Sequence, residues 1–163
     1  MSTIRETLAD EFGAVMRDAI ARAVAIAGLG SIALIHLLDL PGKFSETPYM
    51  AWMYLGLIGG CVLLAGALWR SSDTRIWAAA VALPIAVLVG FTLSRTTGLP
   101  QANGDIGNWT ESLGLASLFV EGALVALAGS VLVTRLSVRS QAGVLARSQQ
   151  FPAAVERHSA RTA

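Results

Sequence analysis

Charge is what this sequence has least of. Asp, Glu, Lys and Arg make up 14% of its 163 residues, where a soluble domain carries about 25%. That deficit excludes a large water-facing surface and points to lipid as the solvent. Lysine is nearly missing, since Lys43 is the only one and every other basic residue is Arg. With the abundance of Ala and Gly, this bias points to a GC-rich bacterial genome. A net charge of +1 points away from a nucleic-acid partner.

Cysteine and histidine are equally scarce. Cys61 is the single cysteine, which excludes an intrachain disulfide and reads as a small apolar filler. The two histidines are His36 and His158, far apart, with no His-x-x-x-His, Glu-x-x-His or Cys pair to hold a metal. No Gly-x-Ser-x-Gly and no phosphate-binding loop is present, so no enzyme class is signalled and the cofactor is left unknown.

What the chain has is long apolar runs. Hydrophobic residues make up 54% and the mean hydropathy is +0.60. About 20 apolar residues cross a hydrocarbon core of about 30 Å, and four windows reach that length, at residues 23–40, 48–69, 76–94 and 113–133. The expected fold is all-α: a four-helix transmembrane bundle with an N-terminal amphipathic helix, a single membrane domain with no room for a separate soluble one.

Sidedness follows from the basic residues. Arg5, Arg17 and Arg22 precede or open the first window, Arg70 and Arg75 lie between the second and third, and Arg135, Arg139, Arg147, Arg157 and Arg161 follow the fourth. Only Lys43 and Arg95 fall in the other two loops. Both termini are therefore expected in the cytoplasm, and the protein in a bacterial inner membrane. Tyr49, Trp52, Tyr54 and Trp109 are expected at the outer interface, with Trp69 and Trp77 at the inner one.

Residues 1–20 read as a cytoplasmic amphipathic helix. Thr3 and Glu6 have capping-box spacing, and Ile4, Leu8, Phe12 and Val15 or Met16 recur at helical intervals. It either lies along the interface or runs straight into the first span. The charged stretch before the first apolar run is unlike a cleavable signal, so that span is expected to remain. Residues 136–163 read as a cytoplasmic tail. Pro41-Gly42 is expected to stop the first helix, with Thr47 as N-cap and Pro48 opening the second. Pro84 is expected to kink the third span. The segment from Arg95 to Glu111 is long for a compact protein and carries Ile106 and Trp109, which would let it fold down as a lid. Asn108-Trp109-Thr110 matches a glycosylation acceptor by chance.

The polar groups at membrane depth are few. Glu121 sits inside the fourth apolar run, where a carboxylate costs about 2.5–3.5 kcal/mol to insert. Ser117, Gly114 and Thr110 lie within about 40° of it on a helix, whereas Val125 and Ala128 continue the stripe toward the cytoplasm without polarity. The stripe thus opens outward, with Glu121 about 12 Å below Leu113. His36 lies one turn from the outer end of the first span, Asp39 one turn beyond it, and Arg95 closes the third span on the same side. The candidate ligand-binding residues are Glu121, His36, Arg95, Asp39 and Ser117. Two readings stay open: a working pocket, or a structural ion pair of Glu121 with Arg95 or His36.

Small residues recur at helical spacing in Ala23, Ala27 and Ser31, in Gly56 and Gly60, and in Gly122, Ala126 and Ser130. Such faces suit close packing within this bundle, with a homo-oligomer as the alternative. The stretches His36-Leu-Leu-Asp-Leu-Pro-Gly-Lys-Phe-Ser-Glu-Thr-Pro-Tyr49 and Leu93-Ser-Arg-Thr-Thr-Gly-Leu-Pro100, with Asp105-Ile-Gly-Asn-Trp109, resemble small four-helix bacterial membrane proteins of unassigned activity. The layout is loosely similar to the DoxX-type four-helix membrane proteins. The resemblance implies the four-helix fold and brings no function. Three functions remain: binding or transport of a small ligand, ion or proton through an outward-facing pocket, a non-catalytic accessory subunit of a larger membrane complex, or an oxidoreductase-like membrane enzyme using a lipid-soluble substrate. The lipid bilayer is the expected partner in each, with a second membrane protein for the accessory subunit.

Overall fold

The computed structural model describes the backbone over residues 2–162 and the side chains over residues 5–145 and 147, Glu6 excepted. The Thr3–Glu6 capping box and His158 lie outside the described side chains. The fold is all-α, with helices α1 (Ser2–Glu46), α2 (Pro48–Arg70), α3 (Thr74–Thr96) and α4 (Ser112–Thr162) and one short 3-10 turn at Asn103–Asp105. All four helices are long and apolar enough to cross a membrane. The molecule is a multi-pass membrane protein by that measure, and its surface agrees: Leu63, Trp69 and Phe119 are each more than three-quarters exposed, as lipid-facing side chains are.

Two helices exceed what a bilayer needs. At 1.5 Å per residue α1 is about 67 Å long, more than twice the hydrocarbon core. The N-terminal amphipathic segment therefore runs straight into the first span, and its apolar residues Leu8, Phe12, Val15 and Ile20 stay exposed. The other end of α1 departs from expectation. Pro41 and Gly42 lie inside the helix, which continues to Glu46. The stop comes from Pro48, because a proline disfavours helical backbone in the residue before it. Thr47 accordingly has φ −146° and ψ 79°, and α2 starts at once. Thr47 stands at the N-cap but makes no side-chain cap bond; its hydroxyl is buried without a partner. α3 likewise continues through Pro84, which is fully buried.

The helices pack in the order α2, α1, α4, α3, and α2 and α3 meet least of the neighbouring pairs. Ala25, Leu29, Ile32, Cys61, Leu68, Trp77, Ala80, Leu124 and Ala128 form the core. Gly28 brings α1 and α4 together: a Cβ there would lie 3.5 Å from Leu124 Cδ1. Trp77 flanks the α2–α3 link as expected, is fully buried, and its indole Nε1 donates to Ser72 Oγ in that link at 3.0 Å. The small-residue stripes also differ from expectation. Ala23, Ala27, Gly122, Ala126 and Ser130 are exposed, since the larger Ala25–Leu29–Ile32 and Leu124–Ala128 faces carry the packing. Of the glycines in those stripes only Gly60 approaches a neighbour, with Leu83 Cδ1 at 3.7 Å from a Cβ built there.

A polar cluster fastens the end of the bundle that carries the termini. Arg135 on α4 reaches Asp18 on α1 at 2.5 Å and Ser72 Oγ at 2.6 Å, and also donates to the Ser72 carbonyl. Ser72 Oγ donates to Asp18 at 2.8 Å, and Arg22 pairs with Asp18 at 3.2 Å. Three elements are thereby tied at one point, the α2–α3 link among them.

Candidate functional site

The opposite end, where the α1–α2 and α3–α4 links lie, is less densely filled. A cavity of about 360 Å³ opens there among all four helices. It reaches from Arg95, near the end of α3, down to Leu83, twelve residues deeper and so about 18 Å along the axis. Its lower walls are Leu57, Leu83, Ala86 and Val87, with Gly56 and Gly90 contributing no side chain. Its upper walls hold the polar groups: His36, Asp39 and Lys43 from α1, Tyr54 from α2, Arg95 from α3, Asp105 and Glu111 from the loop, and Ser117 from α4. The cavity is thus amphipathic along its length.

Four of the five candidate residues, His36, Asp39, Arg95 and Ser117, line this cavity. Glu121 lies one turn beyond Ser117 along α4, outside the lining, and is fully buried. Ser117 Oγ donates to Glu121 Oε1 at 2.6 Å, while Oε2 is buried with no hydrogen-bond partner. The ion pair of Glu121 with Arg95 or His36 does not form. The reason is local supply. Arg95 finds two carboxylates at its own depth, and Glu121 finds a hydroxyl four residues back on its own helix, where i and i+4 side chains meet.

Arg95 is 5% exposed in its side chain. Its Nη1 lies 3.0 Å from Asp105 Oδ1 and donates to the Asp105 carbonyl at 3.3 Å. Its Nη2 pairs with Glu111, and its guanidinium sits 4.9 Å above the Phe91 ring. The Arg95 carbonyl accepts from the Gly107 amide at 2.9 Å. Through these bonds the 97–111 segment is folded onto α3. Gly98 makes the turn possible: it has φ +78°, and a Cβ there would stand 2.9 Å from Ile106 Cδ1. Trp109 meets Phe91 edge to face at 6.1 Å. Thr110 falls before α4 begins, so the polar stripe on the helix itself ends at Gly114.

His36 Nδ1 lies 2.9 Å from the Ile32 carbonyl. A carbonyl only accepts, so Nδ1 carries a proton, and in the neutral ring Nε2 is left as an acceptor. The ring packs edge to face on Tyr54 at 4.7 Å, and Tyr54 donates to Asp39 Oδ2 at 3.2 Å. Lys43 reaches Glu46 at 3.6 Å and Asp105 at 3.9 Å. Among the described residues no three His, Cys, Asp or Glu side chains gather as a metal cluster would require.

Tyr54, Lys43 and Glu111 were not among the candidates. Tyr54 was expected to anchor α2 at the interface. Met50, Tyr54, Leu57 and Cys61 recur at the spacing of one helix face, and that pattern marks Tyr54 as inward. Nothing local marks Glu111, whose partner is sixteen residues away. No protein family, curated protein or solved structure matches the chain.

Proposed function

We propose that this protein binds a small amphiphilic ligand in the cavity around His36, with Ser117 on its wall and Glu121 one turn behind it on α4. The observation that carries the reading is the cavity's polarity gradient inside a membrane-spanning bundle. Ligand pockets are concave, largely apolar and equipped with a few converging polar groups, and an ionisable residue at membrane depth marks a functional site by default. The sparse α2–α3 seam is the path from the bilayer, because Leu83 borders both the cavity and an apolar groove on the outer face of α2 and α3. By the arginine distribution, the cavity faces outward from a bacterial inner membrane, with both termini in the cytoplasm.

The experiment is extraction into a mild detergent followed by mass spectrometry of small molecules retained by the protein. Gly90 lines the cavity and a Cβ there meets nothing within 4 Å, so Gly90→Leu is placed to fill it. Wild type retains an amphiphile and Gly90→Leu does not; equal retention by both refutes the proposal. A second reading, an accessory subunit, is favoured by the unpartnered small-residue faces of α1 and α4. The same purification tests it: a stoichiometric protein partner supports it, and a clean monomer or homo-oligomer counts against it.

A further inference from the structure

Resting on the cavity reading, the charge arrangement identifies the ligand's chemical class. Three carboxylates, Asp39, Asp105 and Glu111, face the cavity against two cations, Lys43 and Arg95. Both cations already have carboxylate partners, although Arg95 Nε is buried with no hydrogen-bond acceptor. Arg95 is held by Asp105 and Glu111, and Lys43 by Asp105 and by Glu46. A ligand anion would have to displace those carboxylates from a buried guanidinium, which is costly.

The groups on the α1–α2 wall want positive charge or a hydrogen-bond donor. Among the described residues no cation pairs with Asp39, whose polar contact is the Tyr54 hydroxyl. His36, 6% exposed, lines the same wall one turn deeper. Its Nδ1 is occupied by the Ile32 carbonyl, so Nε2 of the neutral ring offers only a lone pair. The Tyr54 ring beside them supplies a π face, which attracts cations. Below this group the walls are aliphatic for several turns.

We propose that the cavity is a site for lipophilic cations, with the positive head against Asp39, His36 and Tyr54 and the apolar body along Leu57, Leu83 and Val87.

The test uses two probes of the same shape and opposite charge, tetraphenylphosphonium and tetraphenylborate, in equilibrium dialysis with the full chain in dodecylmaltoside. A tenfold difference in affinity corresponds to about 1.4 kcal/mol, within the range of one close charge pair at an interface. Wild type is expected to bind the phosphonium at least about tenfold tighter than the borate. Asp39→Asn should remove most of that preference and Asp39→Glu should keep it, while Gly90→Leu should abolish binding of both probes.

Borate binding equal to or tighter than phosphonium binding overturns the proposal, as does an Asp39→Asn variant that keeps the full preference. If Asp39→Asn fails to fold, the wild-type comparison of the two probes decides alone. Borate binding that Gly90→Leu removes leaves the cavity reading standing and sinks only the cation assignment. No binding of either probe, or binding indifferent to Gly90→Leu, sinks both.

Discussion

Ser117→Ala isolates the contact that accommodates Glu121 in the bundle. The substitution removes the hydroxyl 2.6 Å from Oε1 and strands a second oxygen beside the already unpartnered Oε2. Leaving a buried acceptor unsatisfied costs about 1–3 kcal/mol in soluble proteins. In membranes such bonds average about 0.6 and reach about 1.7 kcal/mol, because the unfolded chain in lipid also finds partners. The expected loss is therefore about 1 kcal/mol. Replacing both partners by apolar groups of similar shape is close to neutral, so the loss should vanish in a Glu121→Leu background. The coupling is measured as a double-mutant cycle, by equilibrium unfolding in mixed dodecylmaltoside and SDS micelles followed by tryptophan fluorescence, for which buried Trp77 is a reporter. If Ser117→Ala costs the same with and without the carboxylate, the hydroxyl does not support Glu121 and the argument fails.

The two polar clusters give further expectations. Arg95→Leu removes the cation that Asp105 and Glu111 share, at a cost of about 1–3 kcal/mol, since both carboxylates are partly exposed and Asp105 keeps Lys43. Hydrogen-exchange mass spectrometry should show residues 97–111 losing protection while the core keeps it; unchanged protection there would refute the assigned role of Arg95. Arg135→Met frees Asp18 and Ser72 at the other end and should cost about 1–3 kcal/mol in the same unfolding assay. The clusters share no residue, so the losses from Arg95→Leu and Arg135→Met should add to within about 0.5 kcal/mol; strong coupling would mean the bundle transmits strain end to end.

The four spans were legible because a hydropathy run records the solvent around a helix, and each window falls within one observed helix. Helix ends were harder to read. Pro41 looked like the stop for α1, yet the helix carries it, and the actual break follows from the restriction Pro48 places on Thr47. Rotation about the axis was legible for α4, where Glu121 and Ser117 share the inward face. It was misread for the small-residue stripes, because small size permits close packing without requiring it, and bulkier neighbours such as Leu29 and Leu124 took the core. Partner choice was least legible. His36, Asp39, Arg95 and Ser117 line one cavity while Glu121 stays outside it, and which charge meets which depends on the 97–111 segment delivering Asp105 and Glu111 to Arg95. That depends on the turn at Gly98 and the Gly107 amide, which no periodicity encodes.

The pattern of fastening bears on how a ligand would reach the cavity. Arg135, Asp18 and Ser72 tie α1, α4 and the α2–α3 link at one end, and Gly28 against Leu124 holds α1 to α4 midway. At the cavity end Arg95 binds the α3–α4 loop to α3, and α2 is joined to that loop by Tyr49 donating to the Pro100 carbonyl at 2.8 Å. Between those two ends nothing polar crosses from α2 to α3 among the described bonds, and the seam rests on aliphatic contacts such as Gly60 against Leu83. Apolar contacts between helices gain little in lipid, where the acyl chains are as apolar as leucine. The α2–α3 seam is consequently the least costly part of the bundle to open, and it opens onto the apolar half of the cavity. A ligand arriving from the bilayer with its body first, and its polar head last toward His36 and Asp39, meets the wall in the order its own chemistry requires.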